Sequence, residues 1–89
     1  NGAKKEEGTF INGVRDGIIT FYNEDGSKGM ESSYKTGKME GIFSLFHPTG
    51  MKKSEGTFRD GKKESLWIQY DENGGVLSKK TYKNGKEVE

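Results

Sequence analysis

No cysteine occurs in the 89 residues, which removes disulfides and thiolate metal sites from consideration. Apolar residues are scarce at 28%, and no stretch approaches the ~18 consecutive apolar residues that a membrane-spanning helix needs. Neither sign of charge dominates: 15 basic and 14 acidic side chains leave +1, so no long-range field draws the chain onto nucleic acid or an anionic membrane. Low hydrophobicity with abundant lysine and glutamate would read as disorder, but disordered tracts are rich in proline and poor in rings. Here there is one proline, and aromatics make up 11% of the chain. A chain of this length buries only a modest core. Asn1 is compatible with removal of a leader or of upstream repeats, so the chain is read as soluble, with secretion or a periplasmic location left open.

What is present is periodic. An aromatic falls at every twelfth residue: Phe10, Tyr22, Tyr34, Phe46, Phe58, Tyr70 and Tyr82. Gly13, Gly37, Gly61 and Gly85 keep a 24-residue period, and Gly2, Gly26, Gly50 and Gly74 keep another. Such rulers without insertions mark an array of repeats. The chain divides into one repeat domain over 1–89, with a partial repeat at 1–7, repeats at about 8–31, 32–55 and 56–79, and a partial repeat at 80–89. The segments between glycines favour β-branched and aromatic residues and carry no 3.6-residue apolar stripe. The expected fold is all-β: a single-layer twisted antiparallel meander of consecutive β-hairpins built from 24-residue repeats, with 7–8 strands.

Two turn signals alternate. Ile11-Asn12-Gly13 and its copies place a glycine able to take positive φ after small polar residues, whereas Pro48-Thr49-Gly50 and its copies suit a three-residue hairpin loop. Equal spacing is simplest with three-residue loops throughout, which set Phe10 opposite Val14 and Tyr22 opposite Lys28. All seven ruled aromatics then share one face with Ile18, Ile42 and Leu66, as a structural ladder. Ile19, Phe43 and Trp67 occupy the other face beside Phe21 and Leu45. Asn-Gly also favours two-residue type I′ loops, and these would send alternate aromatics to opposite sides. Gly8, Ser32 and Gly56 lack bulk and leave room for neighbouring rings.

The phrase aromatic-x-x-Gly-Lys-x-Glu-Gly, kept best at Tyr34, Gly37, Lys38, Glu40 and Gly41 and followed by Ile42 through Phe46 and Gly50, resembles MORN repeats. Phe58, Gly61, Lys62 and Glu64 repeat it, as do Tyr82, Gly85 and Lys86 in degenerate form. The resemblance is greatest to bacterial MORN-variant repeats, often assigned as antitoxin components. Val14, Asp16 and Ser65 depart from the phrase. The resemblance implies an extended antiparallel meander with a scaffold or partner-binding role and no catalytic residue.

No catalytic constellation, cofactor motif or metal-ligand set can be assembled. His47 stands alone in a turn, and the acidic turns at Glu24-Asp25-Gly26 and Glu72-Asn73-Gly74 lack the calcium-loop pattern. Glu7, Glu31 and Glu55, like Asp16, Glu40 and Glu64, read as solvated faces paired with lysines. Lys52-Lys53, Lys62-Lys63 and Lys79-Lys80 read as edge protection rather than headgroup binders. Ile19, Phe21, Phe43, Leu45 and Trp67 are the candidate partner-binding residues if their face is open, and the core if the sheet curls over them. The expected function is a non-enzymatic module for protein–protein interaction or scaffolding, acting through an apolar sheet face or a strand edge on another protein or on a second copy. From the resemblance alone comes an alternative, an antitoxin or immunity-type protein.

Overall fold

Chain reversal is set by two kinds of turn, and they differ in length. In the computed structural model, which describes residues 5–88, Asn12 and Gly13 have φ of 52° and 82°, and Thr36-Gly37, Asp60-Gly61 and Asn84-Gly85 repeat the pair. Positive φ at both positions is the signature of the two-residue type I′ turn. Ile11 therefore faces Val14 and Phe10 faces Arg15, correcting the three-residue loop and the Phe10–Val14 pairing expected there. The other turns are three-residue loops: Asn23 N–H donates to Ser27 O at 2.8 Å, and Gly26, at φ 90°, donates to Asn23 O. His47 with Met51 and Asp71 with Gly75 repeat that arrangement, and Tyr22 faces Lys28 as expected.

Eight strands result: β1 (Glu6–Ile11), β2 (Val14–Tyr22), β3 (Lys28–Lys35), β4 (Lys38–Phe46), β5 (Lys52–Arg59), β6 (Lys62–Tyr70), β7 (Val76–Lys83) and β8 (Lys86–Val88). They form one open antiparallel sheet in sequence order. No helix occurs among the described residues, so none is long and apolar enough to cross a membrane. The sheet measures 43 × 33 × 13 Å.

Unequal loops decide the faces. The two-residue turn puts Tyr22 on the side opposite Phe10, and a one-residue bulge at Gly29, between the pairs Tyr22–Lys28 and Phe21–Met30, returns Tyr34 to the side of Phe10. The ruled aromatics thus alternate, which overturns the common-face ladder. Phe10, Tyr34, Phe58 and Tyr82 lie on an inner face with Ile19, Phe43 and Trp67, while Tyr22, Phe46 and Tyr70 lie on an outer face with Ile18, Ile42 and Leu66. The inner face holds the core: Ile19 is 0% and Trp67 7% exposed, whereas Ile18, Ile42 and Leu66 are 51%, 51% and 46% exposed.

Longer register shifts between Gly8 and Phe10, Ser32 and Tyr34, and Glu55 and Thr57 are accommodated on the partner strands by residues of positive φ: Gly17, Gly41 and Ser65. Beside each stands a carboxylate that accepts a backbone amide from the next type I′ turn. Thr36 N–H donates to Asp16 at 3.2 Å, Asp60 N–H to Glu40 at 2.8 Å and Asn84 N–H to Glu64 at 3.1 Å. The following glycine amides donate to Arg15 O, Met39 O and Lys63 O. Each hairpin is thereby fastened to the one before it, and each strand packs chiefly on its sequence neighbours. These acids are turn clips rather than the solvated pairs expected.

Candidate functional site

The inner face begins with a missing side chain. Gly56 lies under the Trp67 ring, and a Cβ there would come within 2.1 Å of Trp67 Cδ2. The indole settles onto the backbone and donates from Nε1 to Thr57 O at 3.1 Å. Around it Phe43, Phe58 and Tyr82 stand with centroids 5.5, 5.0 and 6.4 Å away, the last two edge-on, in the separation range where aromatic pairs attract. Lys63 Nζ lies 4.9 Å from both the Trp67 and Tyr82 centroids, a cation held by two ring faces.

This cluster walls a hollow of about 310 Å³ that also touches Leu45, Ser54, Gln69, Ser78 and Lys80. A second hollow of about 360 Å³ continues from Leu45, Ser54 and Gln69 to His47, Tyr70 and Leu77. Together they form a groove across β4 to β7, apolar on its floor, with hydroxyl and amide groups along the middle. Ser78 Oγ donates to Gln69 Oε1 at 3.3 Å. His47 Nε2 lies 3.0 Å from the carbonyl oxygen of Tyr70, which can only accept, so this nitrogen carries the proton. The histidine, in a turn as expected, ties the β4–β5 turn to the end of β6.

The N-terminal half of the same face carries a charged cover. Arg15 forms a bidentate pair with Glu6 at 2.6 and 3.1 Å, and its guanidinium covers the Phe21 and Tyr34 rings at 5.3 and 5.4 Å. The hydrogen bond to Glu6 raises the Arg15 pKa above its ordinary value against the opposing effect of desolvation. Of the five candidate partner-binding residues, Ile19 is fully buried and Phe21 lies beneath Arg15, while Phe43, Leu45 and Trp67 line the groove.

Column chemistry explains why one half opens. Phe21, Leu45 and Gln69 are structural equivalents 24 residues apart, and so are Met30, Ser54 and Ser78. They lie opposite one another in a single cross-strand row, Phe21–Met30–Leu45–Ser54–Gln69–Ser78. Bulk shrinks along that row and the hollow appears where it has gone. Gln69, Ser54 and Ser78 are therefore groove residues that sequence reading passed over; the shrinking columns were the available signal.

The outer face carries a different pattern. Tyr22 OH donates to Glu7 at 3.0 Å and Tyr70 OH donates to Glu55, while Lys28 and Lys52 pair with Glu31 and Glu55 at 3.3 and 3.0 Å. The Tyr70 phenol, then Lys52, hold the Glu55 carboxyl below the usual range, and the same bond raises the Tyr70 phenol. Among the described residues no group of three or more His, Cys, Asp or Glu could hold a metal ion. A family model described as MORN repeat variant matches residues 39–60 and 63–84, which include most of the groove lining. No curated protein and no solved structure matches the chain.

Proposed function

Because this chain belongs to the MORN repeat variant family, we propose that it is a non-enzymatic repeat module whose inner groove binds another protein. One observation supports this reading above others: the cross-strand row that carries Phe21 and Met30 in the N-terminal half of the inner face is cut back to Ser54, Gln69 and Ser78 in the C-terminal half. The Trp67 cluster is thereby left beside an open trough. Rings supply contact area at low entropic cost, and the central hydroxyl and amide groups supply orientation. Catalysis is not proposed: among the described residues no groove hydroxyl is hydrogen-bonded to His47, whose Nε2 donates to Tyr70 O.

Filling the trough tests the reading. Peptides selected from a displayed library for binding to the chain should lose affinity when Gln69→Trp occupies the groove, and should shift the emission of Trp67, the single tryptophan. Selected peptides that bind the filled variant equally well would place recognition elsewhere.

A further inference from the structure

The first hairpin shows, within the chain, how a cation on the inner face is satisfied. Phe10 faces Arg15 and Glu6 faces Phe21, and the Glu6 carboxylate pairs with the guanidinium that covers the Phe21 and Tyr34 rings. One repeat later the corresponding pairs are Tyr34 with Met39 and Met30 with Leu45, so cation and carboxylate are lost together. After another repeat they are Phe58 with Lys63 and Ser54 with Gln69. The cation has returned, again over two rings, but Ser54 stands in the place of Glu6. Among the described residues no carboxylate forms an ion pair with Lys63, and the short Ser54 lines the hollow of about 310 Å³ beside it.

A second column adds charge at the same place. Gly8, Ser32, Gly56 and Lys80 are equivalent, so the position kept small in earlier repeats ends in a lysine, directly opposite Trp67. Lys80 reaches Glu87 only at 3.9 Å with both side chains about half exposed, a weak contact that leaves the ammonium open to a closer partner. Among its described lining residues the hollow thus has two lysines and no carboxylate.

Resting on the reading that this groove binds another protein, we propose that the hollow takes an acidic side chain of that partner, whose carboxylate fills at Lys63 the role that Glu6 fills at Arg15. Lys63 is half-buried and backed by the Trp67 and Tyr82 ring faces, a setting in which a charge-assisted hydrogen bond is stronger than in open water. Apolar residues flanking the acid would lie on the ring cluster. The partner segment is therefore acidic and apolar in alternation, rather than basic.

Peptides selected on the wild-type chain from a displayed random library, then synthesised with a label for anisotropy titration, are the probes. Those blocked by Gln69→Trp should carry Glu or Asp, and exchanging that acid for Gln or Asn should weaken binding by about tenfold. Lys63→Met, which copies Met39 at the equivalent position, should weaken the acidic peptides as much and make the acid-to-amide exchange nearly silent. Ser54→Glu, which copies Glu6, should act likewise by supplying the carboxylate from within. Lys28→Met on the outer face removes the same charge and should leave these affinities unchanged. The exchange within the peptide needs no altered protein, so the test survives a variant that fails to fold. Groove-blocked peptides that lack an acid, that lose nothing on the exchange, or whose loss persists in full on Lys63→Met overturn this proposal and leave the groove reading standing. A library that yields no peptide sensitive to Gln69→Trp removes the groove reading, and this proposal with it.

Discussion

Replacing Gly56 with alanine isolates the contact on which the inner face is built. The new Cβ would lie 2.1, 2.2 and 2.6 Å from Trp67 Cδ2, Cε2 and Cε3, where carbon atoms prefer ~3.5–4.0 Å. The indole would have to retreat by more than an ångström, yet Phe43, Phe58 and Tyr82 surround it and its Nε1 is tied to Thr57 O. In a strand, glycine to alanine ordinarily stabilises by ~0.5–1 kcal/mol through backbone entropy. Overpacking opposes this by ~1–3 kcal/mol, and a broken indole hydrogen bond adds ~1 kcal/mol. The net expectation is a loss of about 1–3 kcal/mol, and each kcal/mol lowers Tm by about 4–8 °C in a domain of this size. Thermal unfolding followed by circular dichroism reads the loss, and a red-shifted Trp67 emission reads the displaced ring. In a Trp67→Leu background the same Gly56→Ala change should cost little. A Gly56→Ala chain as stable as wild type, or a cost that persists in full without the indole, would refute the reasoning.

Ser65 sits at φ 66° where the equivalent residues are Gly17 and Gly41, so Ser65→Gly should relieve a left-handed serine and raise stability by about 0.5–1 kcal/mol in urea unfolding. A lower midpoint would count against the bulge. Ser32 is 0% exposed between Ile19 and Phe43, and its Oγ has no hydrogen-bond partner among the described residues, so Ser32→Ala should stabilise by about 1 kcal/mol in the same assay. For Glu55, a folded pKa below the unfolded value of ~4.3 means stability present above that pH and lost as pH falls through the folded pKa. For Tyr70 the raised pKa reverses the sign: its contribution is present below ~10 and disappears as pH climbs past the folded value. Urea midpoints measured against pH should therefore fall at both extremes, and Glu55→Gln should flatten both limbs; an unchanged profile would show that the pair contributes nothing.

The twelve-residue ruler made the strands, the turns and the hairpin order legible, because glycine and aromatic positions are set by local backbone geometry. Face assignment was not, since it depends on loop length to a single residue. Asn12-Gly13 supports either a two- or a three-residue reversal, and only the pairing of Phe10 with Arg15 distinguishes them. The bulges at Gly17, Gly41 and Ser65 compensate for the unequal loops and keep the spacing uniform, which hides the inequality from any count along the chain. Trp67, Phe43 and Ile19 were recognisable as a row, but whether the row was covered depended on Arg15 folding over Phe21 and Tyr34, a contact between side chains on different strands. Gln69, Ser54 and Ser78 attract no notice singly and matter only when set against Phe21 and Met30 one repeat or more earlier.

The bonds that Asp16, Glu40 and Glu64 accept from the turn twenty residues ahead buckle each of the last three hairpins to the one before it. Since each buckle closes on the immediate neighbour, lengthening such an array by a whole repeat copies the fastening with the fabric. Length can drift through duplication while the stitch stays the same, and the two surfaces are then free to specialise block by block.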